Sequence, residues 1–393
     1  MPRPRHASPA AAGFLILCPR LFDGEAMRED ACVWVRDGRI AAVMPRSSAQ
    51  DGLPHVRLPD GALLAPGFID TQVNGGGGVM FNDAPTPEGA AAIVAAHRRH
   101  GTTGLLPTLI TDAPEAMDRA LDAGPAILAQ PGVLGLHLEG PFINPARKGV
   151  HRADYIVPLD AATIARLRRA AALGRSFVTL APELAPPGVV AALTGAGLRV
   201  SAGHTEATGA DMERAAGEGL TGVTHLFNAM SQLQGRAPGV VGAAMADERL
   251  FVGIIADGLH VDPLSLRAAF RAIGAERLML VTDAMSSVGA ATDRFMLMGR
   301  EVRLAGGRLT TADGTLAGAH LTMAEAVRNA VAMMGASLPE ALRMASRTPA
   351  EFLGLGGERG RVAPGMRADL VALGPDLDVL DSWVDGEGTG ALG

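Results

Sequence analysis

The chain has 393 residues and a mass of 40.3 kDa, which suits one large domain with a small one, or two to three ordinary domains. Its 48% hydrophobic content supports a buried core, and its net charge of −6 argues against a nucleic-acid-binding protein. Two cysteines are too few for a disulfide framework and no apolar run approaches the ~18 residues of a membrane span, so we expect a cytoplasmic protein.

Both ends of the chain have short apolar segments separated by turn residues. After a tail predicted to be disordered (residues 1–12), residues 13–62 contain several such segments, and an Asp-Gly hairpin turn is predicted at Asp37. Residues 363–393 have the same character. We therefore predict that 13–62 and 363–393 pair into one small β-sandwich-like domain.

The central part of the chain, residues 63–362, alternates apolar runs with alanine-rich helical stretches. Such alternation predicts a parallel sheet, and eight runs are the number that a (β/α)₈ TIM-like barrel needs. The eight runs are 67–72, 104–111, 134–139, 177–183, 199–204, 222–227, 251–258 and 278–284. Other α/β folds could also hold eight strands, so the count alone only favours the barrel.

Acidic residues and histidines recur where these runs end. Each one alone is more often a capping or hydrogen-bonded residue than a functional one. Five at equivalent positions predict a single site at the carboxyl ends of the barrel strands, where active sites of this fold lie. The five residues are Glu139, His204, His225, His260 and Asp283.

Three of these residues form a plausible metal-ligand set. Glu139, His204 and His225 supply one carboxylate and two imidazoles, a combination that catalytic zinc sites use while leaving a position for water. Zinc lowers the pKa of its bound water to about 7, and Asp283 is a suitable general base beside it. The pattern predicts metal-assisted hydrolysis. Zn²⁺ is favoured as the one divalent metal per subunit, and Fe²⁺, Co²⁺ and Mn²⁺ stay open.

Three other histidines have weaker assignments. His137 shares a strand face with Glu139 and either supports the metal site or fills the core. The role of His320 is left open. His97 lies at a predicted helix end, where a basic side chain would interact favourably with the helix dipole.

With these residues in place, the chain resembles the N-acetylglucosamine-6-phosphate deacetylases, a branch of the amidohydrolase superfamily. The resemblance extends from about residue 13 to 388. It depends on several motifs in a fixed order: "PGFIDTQVNG", "LGLHLEGPFINPARKGVH", "SAGHTEAT", "GVTHLFNAMSQLQGRAPGVVGA", "IIADGLHV", "LVTDAMSSVG" and "LAGAHLTM". Any one of them alone would be a weak signal.

The resemblance implies roles for matching positions. Glu139, His204 and His225 become the implied metal ligands and Asp283 the catalytic acid/base, while His151 contacts the acetamide and polarises its carbonyl group. The implied substrate contacts are Val150, His151, Asn228, Ala229, Arg236, His260, Leu316, Ala317 and Gly318, of which Asn228, Ala229, Arg236 and His260 are implied to contact the sugar phosphate. A homodimer is also implied, in which Arg236 reaches the site of the neighbouring subunit.

The first predicted barrel strand departs from a common amidohydrolase pattern. Many members end this strand in His-x-His, which holds a second metal, whereas this chain has Gln72 and Asn74. Alternate residues share one face of a strand, so the ligand geometry survives without its chemistry. The only lysine, Lys148, is not at a strand end and offers no bridging carbamate. The expectation is a mononuclear site with a vacant second-metal position at Gln72 and Asn74.

The four glycines that follow, 75–78, lack the Lys-Ser/Thr ending of a phosphate-binding loop and are expected to let the loop turn sharply.

The implied activity is removal of the acetyl group from N-acetylglucosamine 6-phosphate. Close alternatives are N-acetylgalactosamine 6-phosphate as substrate, or another amidohydrolase activity. A distant alternative is a non-catalytic scaffold, which would be expected to lack the ligand set. The sequence does not distinguish a catabolic role from one in cell-wall recycling.

Overall fold

The computed structural model describes residues 13–49 and 52–392. The tail predicted for residues 1–12 therefore lies outside the described residues. Across the described part of the chain, no helix combines the length and the apolar character needed to cross a membrane.

Strands make up both a terminal sheet and a central barrel. The first five are β1 (Phe14–Phe22), β2 (Met27–Arg36), β3 (Arg39–Pro45), β4 (His55–Arg57) and β5 (Leu63–Pro66). The next ten are β6 (Phe68–Val73), β7 (Gly75–Gly76), β8 (Val79–Met80), β9 (Thr102–Ile110), β10 (His137–Glu139), β11 (Phe177–Leu180), β12 (Arg199–Ala202), β13 (Gly222–Val223), β14 (Phe251–Ile255) and β15 (Leu278–Val281). The last six are β16 (Arg294–Leu297), β17 (Arg300–Ala305), β18 (Arg308–Thr311), β19 (Leu370–Leu373), β20 (Val379–Val384) and β21 (Glu387–Gly388).

Helices connect most of the barrel strands. They are α1 (Pro87–Arg98), α2 (Pro114–Leu128), α3 (Ala161–Ala170), α4 (Val189–Gly195), α5 (Gly209–Gly217), α6 (Gly239–Ala246), α7 (Pro263–Ile273), α8 (Met323–Asn329), α9 (Leu338–Ala345) and α10 (Arg347–Phe352). A π-helical turn, Ala330–Met334, follows α8. Side-chain caps fix several helix starts: Thr86 accepts from the Gly89 amide, and Thr208 forms a capping box with Asp211.

The two chain ends form one sheet, as predicted. Its order is β21-β20-β19-β5-β1-β2-β3, with β4 paired to β1. Asp37 and Gly38 both have positive φ in the tight turn that joins β2 to β3, which matches the predicted hairpin. Ile16, Val33 and Trp383 belong to a hydrophobic core of this sheet separate from that of the barrel.

The barrel follows the predicted strand order. Eight parallel strands lie in the order β6-β9-β10-β11-β12-β13-β14-β15, and each of the eight predicted runs overlaps one of them. In the parallel register, His137 of β10 lies between Thr108 of β9 and Phe177 of β11. Helices cover the outer face, so the strands are buried on both sides and have nearly continuous apolar sequences. The predicted (β/α)₈ fold is confirmed.

Two small sheets were not predicted, and one strand lies beyond a predicted domain boundary. Strands β7 and β8 form a small hairpin after β6, and β16, β17 and β18 form an antiparallel sheet after β15. Strand β5 pairs with β1 and β19 in the terminal sheet, although its residues follow the predicted boundary at 62. The division into 13–62 with 363–393 and 63–362 stays a prediction.

Candidate active site

The residues predicted at the strand ends meet at the carboxyl end of the barrel. Glu139 is the last residue of β10, while His204, His225 and Asp283 each lie two residues beyond the end of β12, β13 and β15. Parallel strands all present their carboxyl ends to the same edge, which explains how residues so far apart in sequence come together. All four line one cavity of about 250 Å³, together with His260.

Three donor atoms converge below the floor of this cavity. Oε1 of Glu139 lies 3.2 Å from Nε2 of His204 and 3.0 Å from Nε2 of His225, and the two Nε2 atoms are 3.1 Å apart. All three side chains are buried. A carboxylate and two imidazoles at these separations present their donor atoms to one point.

The second ring nitrogen of His204 supports this arrangement. Its Nδ1 donates to the carbonyl oxygen of Arg147 at 2.8 Å, which leaves the lone pair of a neutral ring on Nε2. Metal-binding histidines commonly have such a hydrogen bond on the nitrogen that does not bind the metal. The donor set therefore fits a divalent metal ion, as predicted, and its chemistry does not select one particular ion.

A second grouping of possible ligands includes His151 in place of His225. Donor atoms of Glu139, His151 and His204 lie within 4.8 Å of one another. Nδ1 of His151 is 2.8 Å from the hydroxyl of Thr111, and its ring centroid is 4.4 Å from that of His204. The closer spacing of His225 to the other two donors favours His225 as the ligand and leaves His151 as a cavity wall residue beside them.

Electrostatics distinguish the two carboxylates of the site. Burial opposes ionisation of Glu139, but hydrogen bonds with His204 and His225 hold its pKa well below the ordinary value. Burial and then the charge of Glu139 raise the pKa of Asp283 to about 6. Burial and the neighbouring His204 hold the pKa of His151 well below its usual range. Asp283 is thus suited to exchange protons near neutral pH, and Glu139 stays ionised.

The two amides of the first strand lie between these carboxylates. Nε2 of Gln72 is 3.2 Å from both oxygens of Glu139 and donates to Oδ1 of Asp283 at 3.1 Å. Nδ2 of Asn74 donates to the same Oδ1 at 2.6 Å. Both amides are buried, so N–H donors occupy the place at which the His-x-His pattern would present imidazoles.

The backbone at the strand ends is unusual at three of these positions. His204, His225 and Asp283 have φ of 48°, 35° and 51°, in the left-handed region that residues other than glycine rarely adopt. Such conformations persist where surrounding contacts fix them, and they are concentrated at functional sites. The turn out of each strand directs these side chains into the cavity.

Most of the implied substrate contacts line the cavity, and two do not. Seven of them line the cavity: Val150, His151, Asn228, Ala229, His260, Leu316 and Gly318. Ala317 is fully buried behind this wall. Arg236 is different, because it lies in an exposed loop and is absent from the cavity wall of its own chain.

Several contributors were not singled out from the sequence. Asp257 accepts from Nδ1 of His260 at 2.6 Å and from two backbone amides, and so fixes the orientation of that ring. The position of Asp257 in the motif "ADGLH", three residues before His260, was the sequence signal that could have indicated this contact. Thr111 and the Arg147 carbonyl had no sequence signal, because their contacts depend on the folded loops.

The remaining histidines have structural contacts. His137 lies between the hydroxyls of Thr108 and Thr179, at 3.2 and 2.8 Å, without a direct hydrogen bond to Glu139, His204 or His225. Nδ1 of His320 is 2.9 Å from the Ser287 hydroxyl.

The dipole interpretation of His97 was wrong. Its ring is fully buried, and burial lowers its pKa to about 4, so it carries no charge to interact with the helix. Instead it bonds the Gly75 carbonyl at 2.9 Å.

Comparison with known proteins identifies the family of this chain. The model of the amidohydrolase family matches residues 63–389. The chain therefore belongs to the amidohydrolase family.

Its relatives within that family indicate which kind of amidohydrolase it resembles. An N-acetylgalactosamine-6-phosphate deacetylase of Shewanella sp. (strain ANA-3) is 44% identical, with 92% of each chain covered. An N-acetylglucosamine-6-phosphate deacetylase of Homo sapiens is 38% identical, with 96% of each covered. The crystal structure of N-acetylglucosamine-6-phosphate deacetylase from Pasteurella multocida is 35% identical, with a TM-score of 0.92 over 96% of this chain and 99% of that one. The predicted resemblance to these deacetylases, and with it the prediction of a hydrolase, is confirmed.

Proposed function

We propose that the chain hydrolyses the amide of N-acetylglucosamine 6-phosphate to give glucosamine 6-phosphate and acetate. The observation that carries this proposal is the convergence of Glu139, His204 and His225 on one point, with the separate carboxylate of Asp283 beside them in a cavity. These residues line a concave cavity of about 250 Å³, the kind of site in which small-molecule ligands bind.

Glu139, His204 and His225 would hold one divalent metal, for which we propose Zn²⁺. When bound, such an ion acts as a Lewis acid that lowers the pKa of water and polarises a carbonyl group. Metal binding requires neutral imidazoles and an ionised carboxylate, and hydrogen bonds that hold the pKa of Glu139 well below its ordinary value keep this carboxylate ionised. Gln72 and Asn74, as amides, leave this as the single metal position in our proposal.

Asp283 moves the proton. It accepts a proton from the attacking water on its carboxylate and then donates that proton to the nitrogen of the departing amine, so that the protons of the hydrolysis balance. The pKa of about 6 suits both roles. Hydrogen bonds from Gln72 and Asn74 to Oδ1 fix the orientation of the carboxylate.

His151 stabilises the charge that develops on the acetyl oxygen. We propose that the ring of His151, oriented by the Thr111 hydroxyl 2.8 Å from Nδ1, contacts the acetyl oxygen. The low pKa of this ring keeps it neutral, so the ring does not repel a metal ion beside it.

The phosphate requires positive charge that the cavity wall does not provide by itself. Its lining contains two carboxylates, Glu139 and Asp283, and neither lysine nor arginine among the described residues. We propose that His260 contacts the sugar phosphate and that Arg236 of a second subunit completes the anion site, in a cytoplasmic homodimer.

A second candidate substrate is the epimer at the fourth sugar carbon. The Shewanella relative, at 44% identity, is named for the galactosamine substrate, and this favours N-acetylgalactosamine 6-phosphate as an alternative. The two sugars differ only in the orientation of one hydroxyl group.

One assay tests activity, substrate and metal. Purified protein is assayed for acetate release from both epimers, with and without the phosphate, and the same preparation is analysed for metal. We expect turnover of the phosphorylated sugars only, with about one metal per chain. Asp283→Asn should lower kcat by about 10³-fold or more with metal content unchanged, as loss of an acid/base group does. Near-normal turnover by that variant would contradict the role of Asp283.

A further inference from the structure

The first and last strands of the barrel lack a regular hydrogen-bonded ladder. Strands β6 and β15 are the two ends of the eight-stranded order. Their backbone hydrogen bonds lie near the carboxyl end of the barrel. The Asp283 amide donates to the Gln72 carbonyl at 3.0 Å, the amides of Asn74 and Gly75 donate to the Ala284 carbonyl at 2.9 and 3.0 Å, and Val73 forms a bridge with Ala284. The two strands that carry the amides and the proposed acid/base carboxylate thus meet at the seam where the barrel closes.

A buried carboxylate crosses this seam below the bridge. Oδ2 of Asp70, on β6, accepts from the Thr282 hydroxyl at 2.6 Å. Its Oδ1 accepts from the backbone amides of Gln72 at 3.2 Å and Thr282 at 3.3 Å. Asp70 is fully buried and absent from the cavity wall, so it does not touch substrate.

This arrangement is costly for the fold. Burial raises the pKa of the Asp70 carboxyl to about 7 despite its three donors. A well-packed apolar residue is often at least as stabilising as a buried charged group. Packing alone therefore does not account for a carboxylate at this position.

The positions of its partners point to a role in orientation. Asp70 lies two residues before Gln72 and on the same face of β6, and Thr282 immediately precedes Asp283. Asp283 has a left-handed φ of 51°, which relaxes easily unless its neighbours are held. The Asp70–Thr282 contact fixes the backbone on both sides of the carboxylate and its amide donors.

We propose that Asp70 and Thr282 are positioning residues that fix the register of β15 along β6. In this way they place Asp283 against Gln72 and Asn74. The inference rests on the proposed function, because it assigns these residues to the geometry of the acid/base group. Loss of the contact lets the carboxylate move relative to the scissile amide while the sugar and phosphate contacts, on other strands, are kept.

Substitution at Thr282 tests this without changing the volume of the core. Thr282→Val removes the hydroxyl but keeps the shape, and Thr282→Ser keeps the hydroxyl. We expect Thr282→Val to lower kcat about ten- to a hundredfold, as a displacement of about 1 Å at a reacting group does, with KM and metal content unchanged. Thr282→Ser should restore kcat to within about threefold of the wild type.

A matched control separates positioning from general stability. Thr348 is equally buried, and its hydroxyl donates to the Ala275 carbonyl at 2.7 Å, away from the cavity. Thr348→Val should destabilise the protein to a similar extent and leave kcat unchanged. If Thr282→Val does not fold, Asp70→Asn, which keeps the size and one acceptor, must still lower kcat at unchanged KM.

The outcomes separate this inference from the proposed function. A wild-type protein without activity on either phosphorylated epimer contradicts the proposed function. An active wild type whose Thr282→Val variant has the same kcat, or loses activity only through KM or metal content, overturns the positioning role. A Thr282→Ser variant as impaired as Thr282→Val would also overturn it.

Discussion

Nδ2 of Asn74 donates to Oδ1 of Asp283 across 2.6 Å. The bond joins the end of the first barrel strand to the end of the eighth. Since the Gln72 amide donates to the same oxygen, the other carboxylate oxygen, Oδ2, is the one left to exchange protons with substrate. Under the proposed function, the Asn74 amide therefore orients the carboxylate that exchanges protons.

This hydrogen bond contributes to the pH dependence that we expect for the proposed reaction. Burial and Glu139 raise the pKa of Asp283, and the Asn74 bond acts in the opposite direction. Asp283 must be ionised to accept a proton, so kcat rises with pH through its pKa. Asn74→Leu removes the donor and should move the acidic limb of the kcat profile to higher pH. A bound cation lowers the pKa in both proteins, so the measured quantity is the difference between two profiles taken over about pH 4 to 9. An unchanged limb would contradict this account.

Metal content distinguishes ligands from neighbouring residues. His225→Asn removes a donor atom that lies 3.0 Å from Glu139 and should lower bound metal well below one per chain. Gln72→Leu, at the neighbouring strand end, should retain the metal and lose turnover, because both carboxylates lose an amide donor. Elemental analysis after dialysis measures both. Full metal content in His225→Asn, with loss in His151→Asn, would favour the alternative set that contains His151.

The exposed position of Arg236 leads to a mixing experiment. Arg236→Ala should raise KM for the phosphorylated sugar, since a phosphate contact is lost. Arg236→Ala chains keep Asp283, and Asp283→Asn chains keep the arginine. If the arginine serves the neighbouring site, refolding the two variants together gives mixed dimers with one complete site, and turnover with a KM close to that of the wild type is recovered. Absence of recovery, with mixed dimers demonstrated, would place Arg236 in the site of its own chain.

The glycine loop after the first strand is expected to be sensitive to a single methyl group. A Cβ at Gly75 would collide with the Val79 carbonyl and come within 2.8 Å of the Ser286 amide nitrogen. Gly75→Ala should therefore lower the free energy of unfolding by about 2 kcal/mol or more. Gly195, at the exposed end of α4, has open space around it, and Gly195→Ala should stabilise by about 0.5–1 kcal/mol. Denaturant unfolding of both variants checks the contrast.

The sequence was sufficient for features with a regular period or a fixed motif. Apolar runs predicted all eight barrel strands, and the acidic and imidazole residues at their ends predicted which side chains share the cavity. Contacts made by unremarkable groups were missed. Nothing local indicates that the Arg147 carbonyl orients His204, or that Asp70 bonds Thr282, because each contact joins loops or strands brought together only by barrel closure.

His97 illustrates the same limit. A histidine near a helix end is usually exposed to solvent, and its charge then interacts with the helix dipole. Here the hairpin after β6 covers the ring and supplies the Gly75 carbonyl as its partner. Whether such a residue is charged depends on what packs over it, which a helical pattern alone does not specify.

The pairing of β5 constrains the order in which the molecule folds. Leu64 on β5 pairs with Ala372 on β19, on opposite sides of the whole barrel sequence. During synthesis, the emerging amino-terminal strands present an unpaired edge until the last part of the chain has left the ribosome. Contacts of such sequence separation form slowly, so the terminal sheet closes as a late step. Truncation shortly before β19 would leave that edge permanently open to other chains.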